Sequence, residues 1–261
     1  MNDTQDNLPK IQENLEKVGI TNLRTLITTN WKGKEYRFIP EIEVTLNLDK
    51  KKKGVHMSRL IESISEVVEK KIKKKYGSIE ELERSILEEI KRKHNYKKAE
   101  ISMRSQLILE KKTPITKRQT FETYDFEICV ISDKGFSKFL RVDVVGATSC
   151  PHAMKNGKTH MQRAVATLKI KTSYENEIEI EDMISCVEEC FSSEVYTLLK
   201  TEDERHIINK MFSNPKFVED VTREILHRAK KKFKNCEISA RTISYESIHR
   251  HNVLAEGRCK S

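Results

Sequence analysis

The chain has 261 residues, 37% of them hydrophobic, which is apolar material for one large domain or two ordinary ones and excludes disorder as the default. Its 49 Lys and Arg outnumber 40 Asp and Glu, and the formal charge of +9 suits a polyanionic partner such as nucleic acid or a highly charged small substrate. No apolar run reaches the roughly 20 residues of a membrane span, the start Met1-Asn-Asp-Thr-Gln-Asp-Asn lacks a signal-peptide core, and the six cysteines form no CxxC pair; the expectation is a cytoplasmic protein with no membrane partner, zinc ribbon or redox motif.

Residues 1–17 are polar and read as a flexible N-terminus, frayed or forming a short helix. Strand patterns follow in Asn22 to Thr29 and in Glu35 to Leu48, as a hairpin turned at Lys32-Gly33. After the basic turn Lys50 to Lys53, Ser58 is the expected N-cap of a helix whose Leu60, Ile61, Ile64, Val67, Val68 and Ile72 keep the helical period. A second helix opens at Ser78, with Glu80 and Glu81 in its first turn, and fades near His94. Strands return in Lys97 to Glu110 and Thr123 to Ser132, separated by a polar segment with Pro114.

The second half repeats the order. Strands are expected at Phe139 to Val145 and Ala164 to Thr172, helices at Ile180 to Phe191 and Pro215 to Lys232 with an extra one at Asp203 to Phe212, then strands at Asn235 to Tyr245 and near the end. Each half thus reads ββααββ, an internal duplication without residue-level identity, with module boundaries at 18–134 and 135–261.

The stretch richest in chemistry runs from Gly146 to Arg163, where Cys150, His152, His160 and Arg163 lie on a loop with Pro151 and Gly157 as turn formers. A thiolate, imidazoles and an arginine are the makeup of a metal site beside an anionic ligand. Cys150 and His160 are ten positions apart, so both reach one ion only if the loop folds back; otherwise they are an ordinary buried thiol and an unrelated imidazole. Cys186 and Cys190, four apart in a helical stretch, are expected to pack. Further along, Glu202 to Glu204 open a helix and complement its dipole. Asn214 reads as a cap with Pro215 at N1, and Glu219 falls beside the stripe of Val218, Val221 and Ile225. His249 and His251 alternate by two and share a face if that stretch is extended, a modest metal signal.

Gly54-Val-His56-Met-Ser58-Arg59, Ser149-Cys150-Pro151, His160-Met-Gln162-Arg163, Lys200 to Glu204, Asn214-Pro-Lys-Phe-Val-Glu219 and Ser247-Ile-His249-Arg-His251 together resemble the motifs of the GTP cyclohydrolases of type I-B and their archaeal relatives, type IV. The resemblance spans Val18 to His251. It implies an α+β tunnelling fold, with two tandem ββααββ modules per subunit assembling into a barrel. It also implies a homo-oligomer, dimer or tetramer, with active sites at subunit interfaces and GTP as substrate.

Carried over position by position, the metal ligands are Cys150, His160, Glu204 and His249, and Glu219 anchors guanine through N1-H and the exocyclic amine. Such a set accepts Fe(2+), Zn(2+) or Mn(2+), and a bound ion lowers the pKa of its water towards roughly 7 for attack at C8 of guanine. A buried Glu219 would favour guanine over adenine, which has no N1-H. Arg59, Arg163 and Lys200 are candidates for the triphosphate. His56, His152 and His251 are candidates for proton transfer or phosphate contact.

Cys150-Pro151-His152 stands where the common bacterial form has Cys-Pro-Cys, and the loop before His160 is shorter. Both departures lean to the archaeal type, which by resemblance uses ferrous iron and makes 7,8-dihydroneopterin 2',3'-cyclic phosphate, formate and pyrophosphate for tetrahydromethanopterin or folate-type pterins. The bacterial alternative makes 7,8-dihydroneopterin triphosphate. His152 remains open as an additional ligand. A nucleic-acid-binding protein with a structural metal, suggested by Lys50 to Lys53, Lys70 to Lys75 and Lys230 to Lys232, would need paired Cys and His and interleaved aromatics that the sequence lacks, so no nucleic-acid partner is expected. Another tunnelling-fold member, a pterin synthase or a nitrile reductase, would leave the thiol free for a substrate instead of a metal.

Overall fold

Alternating burial along Glu41–Leu48 and helical burial in the two segments after it organise the first half of the chain. The computed structural model describes residues 4–31, 34–73, 77–94 and 96–261. A 3-10 turn, Thr4–Asp6, precedes β1 (Leu15–Arg24), β2 (Ile27–Trp31), β3 (Lys34–Phe38), β4 (Glu41–Leu48), α1 (Met57–Lys73), α2 (Ile79–Lys93), β5 (Ala99–Lys112) and β6 (Gln119–Ser132). Then come β7 (Phe136–Ser149), α3 (Pro151–Met154), β8 (Met161–Ser173), α4 (Ile180–Glu188), β9 (Ser193–Glu194), α5 (Thr201–Ser213), α6 (Val218–Lys232), β10 (Glu237–Ser244) and β11 (Val253–Lys260). No described helix is long and apolar enough to cross a membrane.

One compact unit comprises Met1–Ser105, Glu127–Phe139 and Ser173–Glu175; the other comprises Gln106–Phe126, Leu140–Thr172 and Asn176–Ser261. In the first, the strand order is β1-β4-β5-β6-β7, with β4 antiparallel to both neighbours and Val44 opposite Ile20 and Ile101. Ile42, Val44, Ile101 and Met103 are fully buried together with Leu60 of α1 and Ile86, Leu87 and Ile90 of α2. The α2 start is a reciprocal cap: Ser78 Oγ accepts from the Glu81 amide at 3.2 Å, and the Glu81 carboxylate accepts from the Gly77 amide at 2.8 Å.

Three local expectations change here. The strand pattern begins at Leu15 rather than Asn22, and β1 pairs with β4, not with the next strand; as a mostly exposed edge strand it shows little alternation. Its Gly19 is needed, since a Cβ there would meet the Val44 carbonyl oxygen at 1.8 Å. The hairpin is the separate β2/β3 pair, and its turn at Lys32-Gly33 lies outside the described residues, as do the side chains of Lys70 to Lys75. Ser58 lies inside the first turn of α1 and is not its cap, because helical bonding already runs from the Leu60 amide to the His56 carbonyl.

In the second unit the order is β5-β6-β7-β8-β10-β11, with β9 on β7. One face of β10 and β11 is covered by α6: Thr222 Oγ1 donates to Thr242 Oγ1 at 2.9 Å, and the absence of a side chain at Gly257 makes room for Leu226. Phe191, 2% exposed, fills the space beside Gly146, where a Cβ would lie 2.2 Å from the ring. Cys186 and Cys190 pack as expected; burial pushes their thiols up to about 11 and about 12, which leaves them inert. Asn214 closes α5 instead of opening α6, its side-chain amide donating to the Phe191 and Ser192 carbonyls, and Phe217 takes the N-cap position of α6.

The expected architecture of two tandem ββααββ modules, and a barrel made from them, is corrected by this element order. The chain is α+β with an antiparallel sheet and, among the described residues, six α-helices. The β2/β3 hairpin interrupts the first run of elements, α3, β9 and α5 interrupt the second, and β5, β6 and β7 each contribute residues to both units. Those strands have 14 residues apiece. At about 46 Å each they outrun a single small module, and alternation alone sets no upper limit on strand length.

Glu83 of α2 is fully buried, with both carboxyl oxygens lacking a hydrogen-bond partner, and burial followed by the neighbouring charge of Glu80 pushes its carboxyl well above the usual range. Its folded form is therefore neutral. The stability it permits is complete below the ordinary glutamate range and is lost as pH rises through the elevated value. Glu83→Gln removes that loss: as pH rises from the ordinary glutamate range toward neutrality and above, the native chain should fall in Tm relative to the variant. Parallel melting curves would show that Glu83 is charged when folded.

Candidate active site

Ser149, the last residue of β7, is completely buried and held on three sides. Its Oγ donates to the Met211 carbonyl at 2.7 Å, its amide donates to Ser192 Oγ at 3.2 Å, and its carbonyl accepts from the Lys216 amide at 3.1 Å. Cys150 is thereby delivered at a defined place, as the residue capping α3 with Pro151 behind it. The loop then folds back: the Cys150 amide donates to the His160 carbonyl at 3.2 Å, and Thr159 Oγ1 donates to the Cys150 carbonyl at 2.8 Å.

The His160 ring is oriented by a polar chain. Its Nδ1 lies 2.9 Å from Gln162 Oε1 and 3.6 Å from Glu246 Oε2. Gln162 spends its NH2 on Thr148 Oγ1 at 3.2 Å and Glu246 Oε1 at 3.3 Å, and Ser244 Oγ donates to the same Glu246 oxygen at 2.7 Å. With the Gln162 carbonyl as the group facing Nδ1, that nitrogen carries the proton and Nε2 keeps its lone pair. His249 stands edge-on to His160 with centroids 6.4 Å apart, and His251 stacks on His249 at 5.1 Å. The two histidines do not alternate along a strand as expected. The ladder ends where the Tyr245 amide donates to the Arg163 carbonyl, and Glu246 then turns to Ser244 and Gln162.

The structure thus brings Cys150, His160, His249 and His251 to one end of β7 and β8. The buried side of α5 packs there too, Ile207 and Met211 against Ala147 and Met161. Glu204, on the same helix, is exposed, as are His152, Arg163, Lys200 and Glu219, and no hydrogen bond or ion pair among the described residues joins these five side chains to the His160 ring. Among the described residues no three His, Cys, Asp or Glu side chains already close around an ion. The donor chemistry nevertheless fits one: a thiol, and an imidazole whose far nitrogen is fixed by a carboxylate-backed amide, are what a divalent transition metal takes.

A second locus belongs to the first unit. His56 and Arg59 at the start of α1 line a cavity of about 360 Å³ with Lys52, Lys93, His94 and Lys97. His56 lies 3.7 Å from Asp6, and the His56 and His94 rings are 6.3 Å apart. Burial, then the charges of His56, Arg59, Lys52 and Lys93, pulls His94 below its ordinary value. Such a concentration of positive charge beside a helix N-terminus suits phosphate.

Three residues were given no role in the sequence reading. Gln162 sits two positions after His160 and Glu246 two after Ser244, spacings that place each pair on one side of an extended chain, which is the signal that could have found them. Asp203 was hidden in an acidic run. Its Oδ1 accepts from the Ile115 and Thr116 amides, both at 2.9 Å, and its Oδ2 accepts from Thr116 Oγ1 at 2.6 Å and the Lys200 amide at 3.1 Å. Burial alone would raise this carboxyl, but these four bonds outweigh it and hold it well below the usual range.

Residues 1–255 match the family profile described as type I GTP cyclohydrolase folE2. A GTP cyclohydrolase MptA of Thermococcus kodakarensis is 51% identical over 262 residues, covering 97% of this chain and 98% of its own length. One from Methanococcus aeolicus is 33% identical over 298 residues, with 97% and 95% covered. Among solved structures, the uricase of Arthrobacter globiformis superposes with a TM-score of 0.59 at 8% identity, covering 94% of this chain and 93% of that one. A uricase of Bacillus fastidious gives 0.53 at 10% identity, covering 94% and 98%. At such identities the likeness concerns fold alone: an α+β chain with an antiparallel sheet, consistent with a tunnelling fold, in place of the plain tandem modules.

Glu246 orients His160 without being within bonding reach of Cys150 or His249 in any contact described. Glu246→Ala should keep the fold and weaken retention of added Fe(2+) or Zn(2+) by about 10–100-fold, measured by competition with a chromogenic chelator. Unchanged affinity would mean that the carboxylate does not set the ring.

Proposed function

The chain belongs to the type I GTP cyclohydrolase family, and from that premise we propose that it hydrolyses C8 of the GTP guanine with a divalent metal, releasing formate and forming 7,8-dihydroneopterin 2',3'-cyclic phosphate and pyrophosphate for pterin synthesis. The observation that carries the metal reading is the His160 ring, whose Nδ1 is held by Gln162 and Glu246 on the loop that folds back onto Cys150, which leaves Nε2 as the nitrogen for an ion. Cys150, His160, Glu204 and His249 would hold the ion, Fe(2+) by preference and Zn(2+) or Mn(2+) as substitutes. When bound, the ion supplies a water of lowered pKa and a Lewis acid.

Glu219, exposed in the first turn of α6, would offer its carboxylate to two parallel N-H bonds from guanine. Exposed Arg163 and Lys200 would meet the nucleotide, and a homo-oligomer whose second copy covers these groups would dry the site. For the triphosphate, the support is the cationic cavity of His56 and Arg59, where phosphate oxygens would raise the depressed His94. His152 and His251 are exposed imidazoles available for proton transfer.

The family description, a type I enzyme, favours a second reading in which the product is 7,8-dihydroneopterin triphosphate. Anaerobic incubation of the iron-loaded protein with GTP, followed by mass spectrometry, should yield formate with the cyclic phosphate and pyrophosphate. The triphosphate would support the second reading, and absence of turnover with Fe(2+), Zn(2+) and Mn(2+) alike would defeat both.

Glu219→Gln should retain metal while kcat/KM for GTP drops by at least about a hundredfold, since the amide presents a donor to a donor. Cys150→Ala should lose the metal itself. Normal turnover by the Glu219 variant would assign guanine recognition elsewhere.

A further inference from the structure

The turn that leads into α1 carries a second segment of chain bonded to its backbone. The Lys53 amide donates to the Gln5 carbonyl at 3.0 Å and to the Asn7 carbonyl at 2.9 Å, and the Gly54 amide donates to the same Gln5 oxygen at 3.2 Å. Farther along, the Lys50 amide donates to Asn14 Oδ1 at 2.9 Å. The segment from Thr4 to Asn14 is thus strapped to the 50–54 turn, part of which lines the cationic cavity, and it sets Asp6 in the cavity wall.

Asp6 brings a charge of the opposite sign to that wall. Its carboxylate lies 3.6 Å from Lys52 Nζ and 3.7 Å from His56 Nε2, longer than hydrogen bonds, and its side chain is 54% exposed. Pairs of this open kind are weak and easily exchanged. The other carboxylate of the cavity, Asp49, accepts from the Lys51 amide at 2.9 Å and so serves its own turn. Asp6 comes instead from a separate segment and reaches both the turn and the start of α1.

Backbone amides ahead of a helix, and cations beside it, are the two kinds of donor that a phosphate group takes. The strap supplies an oxygen to each: the Gln5 carbonyl to the amides, and the Asp6 carboxylate to the cations. We propose that Asp6 is an internal competitor of phosphate, a displaceable carboxylate that the polyphosphate tail of a nucleotide must push aside to enter the cavity. This rests on the reading of the cavity as the triphosphate site, and it adds the residue that sets how tightly the tail is held. A carboxylate carries one negative charge and a polyphosphate tail several, so the exchange favours the incoming tail, while a singly charged anion gains little by it.

The test is calorimetric titration with pyrophosphate of the full-length chain, Asp6→Asn, Asp6→Glu and Arg59→Ala/Lys97→Ala. Asp6→Asn keeps the size of the side chain and removes its charge, so pyrophosphate should bind about threefold to tenfold more tightly. Asp6→Glu should restore the native affinity. Equal affinity in the native chain and Asp6→Asn overturns the proposal, and so does the same gain in Asp6→Glu as in Asp6→Asn, which would assign the effect to the shape of the strap. The double variant separates this from the reading beneath it. Weakened pyrophosphate binding there, with no gain in Asp6→Asn, refutes the competitor and leaves the cavity an anion site; native-like binding there removes the anion site and the competitor together. The half-exposed position of Asp6 lets its variants fold as the native chain does, so they remain interpretable if the double variant folds poorly.

Discussion

The Cys150 amide reaches the His160 carbonyl only because β7 and β8 are sheet neighbours and both ends of the intervening loop are nailed down, Cys150 by buried Ser149 and His160 by the start of β8. That closure turns the eleven residues between β7 and β8 into a chemical locus. Everything placed around it, the Gln162 and Glu246 chain behind His160, the edge-on His249, and α5 packed over Ala147 and Met161, takes its position from the same two strand ends. Sites built on sheet ends gain their precision from the ladder beneath them.

Two buried acids show how the same fold sets charge in opposite directions. Asp203 is surrounded by four donors and stays ionised although it is completely buried. Glu83, equally buried, has no well-formed hydrogen bond to its oxygens, faces the charge of Glu80 and is driven neutral. The four donors around Asp203 offset its burial, and nothing of that strength offsets the burial of Glu83. The first ties the 113–118 segment to the start of α5; the second is a liability of unit packing with no evident role in the candidate site.

The positive balance of the chain is also unevenly spent. Part of it gathers at the His56 and Arg59 cavity of the first unit. This is a shaped surface in which cations meet from different elements, unlike the lysine runs, which follow one another along the chain. For a GTP cyclohydrolase family member whose substrate carries a triphosphate, a concave cationic surface matters more than net charge, because geometry converts diffuse attraction into binding.

Most helices and strands were legible because apolar spacing is a local property: α2 with its Ser78 cap, β6, β8 and the packing of Cys186 and Cys190 lie where periodicity puts them. The family motifs were legible for a similar reason, as short runs of residues in fixed order. What escaped depends on partners distant in sequence. The pairing of β1 with β4, strands shared by two units, Asn214 ending one helix instead of starting another, and Glu246 reaching back across 84 positions to Gln162 are decided by which backbone groups find a neighbour in space. By itself the sequence determined the elements, their polarity and the residue types available for chemistry. Only the tertiary structure decided which nitrogen of His160 is taken by Gln162 and Glu246 and which acids keep their charge, because both depend on donors and acceptors supplied by other segments.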